Sequence, residues 1–200
     1  VLALGPGTGM RSNTNVDGWP STYTTPNNTY VFARRDETTF YGVSQTGRLY
    51  YSSNSGSTWN TAADVAISGL PVGGYVVERL ETSGTNNRLL LKVRNGGNGK
   101  YELYRITYSP TGSAPTSASA ALVSGGGFTL TEVDDVKRLG NTVYALGPGV
   151  GSHRLAISTD GGSNWTVKTV PSGSRLSIAS NGYIFVIRDG SFSLSRDGGN

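Results

Sequence analysis

The residues able to do chemistry are few. His153 is the single histidine and cysteine is absent, so neither a His/Cys zinc set nor a thiolate nucleophile is available. A Ser-His-Asp triad needs its serine on a strained strand-to-helix turn, and the sequence holds no such turn. The segment leading to the histidine, "GPGVGSH" (147–153), is not a phosphate loop, because no Gly-Lys-Ser/Thr follows and no helix opens after it. His153 is therefore expected as an exposed loop residue. Glycoside hydrolysis needs two carboxylates across a cleft, roughly 5–10 Å apart. Asp134 and Asp135 are adjacent, but strand alternation sends neighbouring side chains to opposite faces, so they are expected to be exposed rather than catalytic. Asp64 and Asp189 are looser candidates. No catalytic residue, metal or cofactor is expected.

What remains is recognition. Sugar binding needs planar hydrogen-bonding side chains beside an aromatic platform. Polar, glycine-rich connections supply Asn95 and Asn98 in "NGGNGK", His153 and Arg154, and Arg188 with Asp189. These six are the expected ligand-binding residues; Gln45-Thr46 lies in a similar connection. The 11 tyrosines fall mostly in apolar runs, where packing is the expected role. Net charge is +4, from 17 basic and 13 acidic residues. The basic residues are scattered and the pairs Arg34-Arg35 and Lys137-Arg138 sit beside acids, so nucleic acid is not an expected partner. No run approaches the ~20 apolar residues of a membrane span.

These side chains need a scaffold, and the sequence repeats. "YSSNSGSTWN" (51–60), "ISTDGGSNWT" (157–166) and "LSRDGGN" (194–200) share one phrase, anchored on Ser52, Ser158 and Ser195. Weaker copies stand at Ser109 and around Asp17. In each, Asn54, Asp160 or Asp197 can accept backbone N–H bonds from the turn ahead of it. Gly56, Gly162 and Gly199 allow positive φ. The serine ties the turn back to its strand, and Trp59 and Trp165 re-enter the sheet to cover an apolar seam. The phrase is a turn fastener. A longer repeat contains it: "YGVSQTGRLYYS" (41–52) matches "IFVIRDGSFSLS" (184–195) at an offset of 143, with Gly47 on Gly190.

Each unit reads as four short strands, with the phrase between the third and fourth. In the second unit these are 75–80, 88–93, 101–108 and 118–123; in the third, 131–139, 142–146, 154–158 and 165–170. Continuous apolar runs suit strands covered on both faces, and no window keeps helical spacing. Four strands per repeated unit is the mark of a β-propeller blade. The fold expected is all-β, a propeller of four-stranded antiparallel blades. Blades are expected at about 30–72, 73–125 and 126–172, with part-blades at 1–29 and 173–200. About four blades in this chain, cut within a phrase, suggest an excerpt of a larger six- to eight-bladed ring.

Ser158-Thr159-Asp160-Gly161-Gly162-Ser163-Asn164-Trp165 resembles the Asp-box, or BNR, repeat, Ser-x-Asp-x-Gly-x-Thr-Trp. Ser52–Trp59 fits with Asn54 in the aspartate position, and Ser195–Asn200 fits as far as it goes. Asp-box propellers include sialidases, xyloglucan-cleaving endoglucanases, sortilin-type receptor domains and photosystem assembly factors. The resemblance implies that the boxes lie on a rim away from the ligand face, so the phrase residues are structural. A calcium role for "DGG" lacks the further oxygen ligands such a loop needs. The Arg-Ile-Pro motif of sialidases is absent. The expectation is therefore a non-catalytic propeller presenting a loop face to carbohydrate or protein, in an extracellular, cell-surface or phage-virion protein. The alternative is a glycoside hydrolase whose catalytic residues lie partly outside this segment.

Overall fold

The structure, a computed structural model, describes residues 2–5, 9–12, 21–23, 29–60, 65–82, 87–109, 115–125, 128–129, 132–149 and 152–198. Among them every regular element is a strand. The first three, β1 (Leu2–Gly5), β2 (Gly9–Ser12) and β3 (Ser21–Tyr23), form one antiparallel sheet. The next four are β4 (Thr29–Arg34), β5 (Phe40–Ser44), β6 (Arg48–Ser52) and β7 (Val65–Ser68). The second unit comprises β8 (Tyr75–Thr82), β9 (Arg88–Asn95), β10 (Tyr101–Ser109) and β11 (Ser117–Leu122). A two-residue ladder of β12 (Ser124–Gly125) and β13 (Phe128–Thr129) follows. The third unit is β14 (Asp135–Leu139), β15 (Thr142–Gly149), β16 (Ser152–Ser158) and β17 (Thr166–Val170). The last sheet holds β18 (Arg175–Ile178), β19 (Ile184–Arg188) and β20 (Ser191–Ser195).

The strand units stack face to face, and the cores lie between them. One cluster joins Tyr41, Val43 and Leu49 of the first unit to Val77, Leu80, Leu89, Leu91 and Val93 of the second. Another joins Leu90 and Leu103 to Val143, Ala145, Ala156 and Trp165. A third joins Tyr144, Leu146 and Leu155 to Leu176, Ile184 and Val186. The run Leu89-Leu90-Leu91 shows why β9 is apolar throughout. All three are fully buried, the outer two toward the first unit and Leu90 toward the third. Each buried leucine contributes about 1.5–3 kcal/mol. The first strands of successive units are neighbours, β4 beside β8, and β14 beside both β8 and β18. This is the blade stacking that the repeat predicts.

Three details differ from the sequence reading. The outer strands β7 and β11 pair in parallel, Ile67 with Ala118 and Ser68 with Ser119, so the first two units share one eight-stranded sheet. Gly69 permits this: its φ is +80° and a Cβ there would collide with the Ala120 carbonyl. Second, "GPGVGSH" is mostly strand rather than loop, with Gly147 opposite Arg154, Pro148 opposite His153 and Gly149 opposite Ser152. Third, the two hairpins matched at offset 143 differ by one residue in register. Val43 faces Leu49 and Tyr41 faces Tyr51, whereas Ile187 faces Phe192 and Phe185 faces Leu194. The shorter Asp189-Gly190 turn shifts the second strand to an offset of 144 while the third keeps 143.

Candidate functional site

The turn phrase builds the same knot in the first and third units. In the first unit, Ser52 Oγ donates to Asn54 Oδ1 at 3.0 Å, Gly56 N donates to Ser52 Oγ at 2.9 Å, and Thr58 N donates to Asn54 Oδ1 at 2.9 Å. In the third, Ser158 Oγ donates to Asp160 Oδ1 at 2.9 Å and Gly162 N to Ser158 Oγ at 2.8 Å. Ser163 N and Asn164 N donate to Asp160 Oδ1 at 3.0 and 2.9 Å, and Asn164 Nδ2 to Asp160 Oδ2 at 2.6 Å. The Asn164 backbone bond leads in holding the Asp160 carboxyl down at about 2. In the last sheet Ser195 Oγ donates to Asp197 Oδ1 at 2.7 Å. Gly56 and Gly162 have φ of +87° and +83°. Gly199 lies outside the described residues, as do Asp17 and Asp64.

The two tryptophans differ. Trp165 is 8 % exposed in the core between the second and third units, and its Nε1 donates to the Gly162 carbonyl at 3.1 Å. Trp59 packs on Phe32 with ring centroids 5.6 Å apart, its Nε1 enclosed with no hydrogen-bond partner among the described residues. The third phrase is also gripped from the neighbouring unit. Arg88 Nη1 on β9 donates to the Asp160 carbonyl at 3.2 Å and to Ser163 Oγ, and Arg105 Nη1 on β10 donates to the Gly162 carbonyl at 3.2 Å. The phrase is thus a joint between sheets as well as a turn.

The opposite ends of the strands carry the hairpins between second and third strands, together with the links between units. Here Glu102, 4 % exposed, receives Asn95 Nδ2 on both oxygens at 3.1 Å, Asn98 Nδ2 at 2.9 Å and the Tyr104 hydroxyl at 2.9 Å. Burial, then the bond to Glu102, pushes the Tyr104 phenol up to about 12. The other ends of both amides are used too: Gly97 N donates to Asn95 Oδ1 and Lys100 N to Asn98 Oδ1, each at 2.9 Å. Beside this loop, Lys92 Nζ stands 4.4 Å from the Tyr101 ring centroid and donates to the Asp134 carbonyl at 2.5 Å. Burial pulls the Lys92 ammonium pKa down. Lys100 pairs with Glu132 at 2.6 Å.

His153 and the aspartate pair depart from the sequence reading. His153 is not an exposed loop residue: it lies on β16 with a side chain 23 % exposed, and its Nε2 is 3.2 Å from Asp134 Oδ2. Asp134 and Asp135 are not exposed either, at 32 % and 13 % for their side chains. They take separate side-chain partners, Asp134 from the bend before β14 and Asp135 from its first residue. Burial raises the Asp134 carboxyl pKa, against the pull of His153 and Lys92. Asp135 faces Arg79 at 3.7 Å and Lys137 at 3.8 Å and accepts from Val136 N at 2.8 Å and Leu176 N at 2.9 Å. The pairing across sheets is what encloses them, and no local pattern carries it.

Of the six expected ligand residues, Asn95 and Asn98 meet on Glu102. His153 and Arg154 stand on the adjoining sheet, with the Arg154 side chain against Gly149. Arg188 and Asp189 are in the hairpin of the last sheet. The sequence reading missed Glu102, Tyr104, Lys92, Tyr101, Arg88 and Arg105. The signal for Glu102 is a lone acid inside the apolar strand "YELYRITY", followed by tyrosine two residues on. The arginines carry no such signal, because their partners are 57 to 75 residues away.

No protein-family model matches the chain, and no curated protein matches it. Among solved structures it is similar to the GH74 enzyme of Niastella koreensis, with a TM-score of 0.59 and 22 % identity over 94 % of this chain and 26 % of that one. It is similar to an ancestral GH74 enzyme, with a TM-score of 0.54 and 17 % identity over 99 % of this chain and 24 % of that one. It is also similar to YCF48 bound to D1 peptide, with a TM-score of 0.54 and 11 % identity over 94 % and 54 % of the two chains. The chain spans about a quarter of the length of those GH74 enzymes and about half that of YCF48. At these identities the likeness is one of fold, and the fold is the β-propeller.

Proposed function

We propose that the chain is a non-catalytic Asp-box β-propeller that presents its hairpin face, between the second and third units, to a carbohydrate or protein ligand. The proposal sets it in an extracellular, cell-surface or phage-virion protein. The observation that carries it is the state of the carboxylates there. Glu102 is enclosed by two amides and a phenol, Asp135 by two cations and two backbone N–H groups, Glu132 is paired with Lys100, and Asp134 stands 3.2 Å from His153 Nε2. Hydrolysis needs one carboxyl free to give a proton and a second free to attack or to activate water. What this face offers outward is Tyr101, 37 % exposed with Lys92 at its ring, next to a loop stiffened from beneath. A rigid aromatic with polar neighbours suits a sugar face or an extended peptide. The peptide-bound YCF48 structure supports the second ligand class on a similar fold.

The alternative reading, a glycoside hydrolase, draws support from Asp134, whose raised carboxyl pKa is the kind a general acid requires. Array binding tests the proposal. The chain is applied to arrays of oligosaccharides and peptides beside two variants, His153→Ala/Arg154→Ala on the hairpin face and Asn54→Ala on the turn rim. Binding is expected for the wild type and the rim variant and lost for the face variant. No ligand retained, or equal binding by all three, overturns it.

A further inference from the structure

Three Asn-Gly pairs stand in the chain: Asn95-Gly96, Asn98-Gly99 and Asn181-Gly182. This dipeptide carries a reaction of its own. Glycine leaves the backbone nitrogen after the asparagine with no side chain to shield it. Having lost its proton, that nitrogen attacks the asparagine Cγ. The new C–N bond closes a succinimide ring, the Cγ–Nδ2 bond breaks, and ammonia leaves with the proton. Water then opens the ring at either carbonyl, giving aspartate or isoaspartate. Water is consumed, ammonia is released, and nothing is oxidised or reduced.

Two of these pairs sit in matching loops. In the hairpin between β9 and β10, Asn95 N donates to the Lys100 carbonyl and Gly99 N to the Asn95 carbonyl, each at 2.8 Å. In the hairpin between β18 and β19, Ala179 N donates to the Tyr183 carbonyl and Gly182 N to the Ala179 carbonyl, each at 2.9 Å. Gly99 and Gly182 both take left-handed backbone, at φ +71° and +85°. Each asparagine accepts on Oδ1 from the backbone N–H two residues on, Asn98 from Lys100 at 2.9 Å and Asn181 from Tyr183 at 3.2 Å. Both asparagines are exposed. The attacking nitrogen therefore leaves a similar bond in either loop.

What separates the loops is the amide nitrogen. Asn98 Nδ2 donates to Glu102 Oε1 at 2.9 Å, and Glu102 is 4 % exposed. Turning Cγ toward Gly99 N breaks that charge-assisted bond. Asn181 Nδ2 has no partner among the described residues. Asn95 is held by more bonds than either: Nδ2 reaches both Glu102 oxygens at 3.1 Å, Oδ1 accepts from Gly97 N at 2.9 Å, and Gly96 N donates to the Gly74 carbonyl at 2.9 Å. The product widens the difference. A new carboxylate at position 95 or 98 faces the Glu102 carboxylate where an amide had donated, and like charges there repel. At position 181 it meets water.

We propose that Asn181-Gly182 is a self-modification site that deamidates through a succinimide, and that Glu102 shields the other two Asn-Gly pairs from the same reaction. A bond to a charged acceptor, broken before the attack, slows Asn98 by about ten- to hundredfold against Asn181. Isoaspartate routes the chain through the former side-chain carbon, which lengthens the turn between β18 and β19 and adds a negative charge to it. The inference rests on the matched loops and stands apart from the binding reading.

The whole chain is incubated at mildly alkaline pH, natively and in guanidinium chloride. Peptide mass spectrometry follows each asparagine, with isoaspartate separated from aspartate by chromatography. In the native protein Asn181 is expected to convert about ten- to hundredfold faster than Asn98, and Asn95 no faster than Asn98. In denaturant the gap is expected to close, because only the shared Asn-Gly sequence remains. Native conversion at Asn98 as fast as at Asn181 would overturn the proposal. So would a gap of the same size in denaturant, which would assign it to the flanking residues. A Glu102→Ala chain tests the shield: Asn98 is expected to approach the Asn181 rate while Asn181 keeps its own, and an unchanged Asn98 overturns the role of Glu102. If Asn181 in that variant moves to its denatured rate, the variant has unfolded, and the wild-type comparison decides.

Discussion

Replacing Asp160 by alanine removes one ionised acceptor from four donors: Ser158 Oγ, Ser163 N, Asn164 N and Asn164 Nδ2. A hydrogen bond to a charged group contributes about 1.5–3 kcal/mol net, against about 1 for a neutral pair. The rim is partly open, so water takes over some of the donors, and the four losses do not sum. A net cost of about 2–4 kcal/mol is expected for Asp160→Ala. Asn54→Ala removes a neutral side chain bonded to Ser52 Oγ, Thr58 N and Thr58 Oγ1, and about 1–2 kcal/mol is expected there. Urea unfolding followed by tryptophan fluorescence reads both. With a slope of about 2 kcal/mol per molar, Asp160→Ala lowers the midpoint by about 1–2 M and Asn54→Ala by about half as much. A midpoint for Asp160→Ala within about 0.2 M of wild type, or a larger loss for Asn54→Ala, would refute the fastener account.

Three further outcomes follow from the same geometry. Asp160 is depressed to about 2, so its stabilisation is complete above the unfolded carboxyl range near 4 and is lost as pH falls through 2. The stability gap between wild type and Asp160→Asn should therefore close across that window, and a pH-independent gap would contradict the ionised acceptor. Gly162→Ala places a side chain at φ +83° with its Cβ 3.1 Å from Leu90 Cδ2, and should cost about 2–3 kcal/mol, against about 1 for Gly198→Ala, whose added Cβ meets nothing within 4 Å at φ +71°. Equal costs by denaturant titration would remove the inter-sheet contact from the explanation. Glu102→Gln turns one acceptor oxygen into a donor facing the Asn95 and Asn98 amides, so hydrogen exchange at residues 96–99 should quicken severalfold while the strands of the third unit stay protected. Unchanged exchange would mean the loop is held by backbone alone.

The strand plan was legible because each unit must bury both faces of short strands, which writes continuous apolar runs such as Leu89–Leu91 and Val143–Leu146 into the sequence. The phrase was legible because its bonds are local: Ser52 to Asn54, and Ser158 to Asp160, span two residues. What stayed hidden is what reaches across sheets. Asp134 and Asp135 look exposed in one strand's alternation, yet Lys92, His153 and Arg79 close over them from three other strands. Asn95 and Asn98 look like ligand donors in "NGGNGK", yet their amides turn inward to a carboxylate four to seven residues on. Polar loop residues announce their type and not their direction.

As proposed above, this face holds a ligand and leaves it uncleaved. The most direct measurement is mass spectrometry of each oligosaccharide retained on the array, incubated with the protein for a day alongside an Asp134→Asn variant. Every bound oligosaccharide is expected to keep its mass with both proteins. Shortened products from the wild type that Asp134→Asn fails to form would contradict it and make Asp134 a catalytic acid.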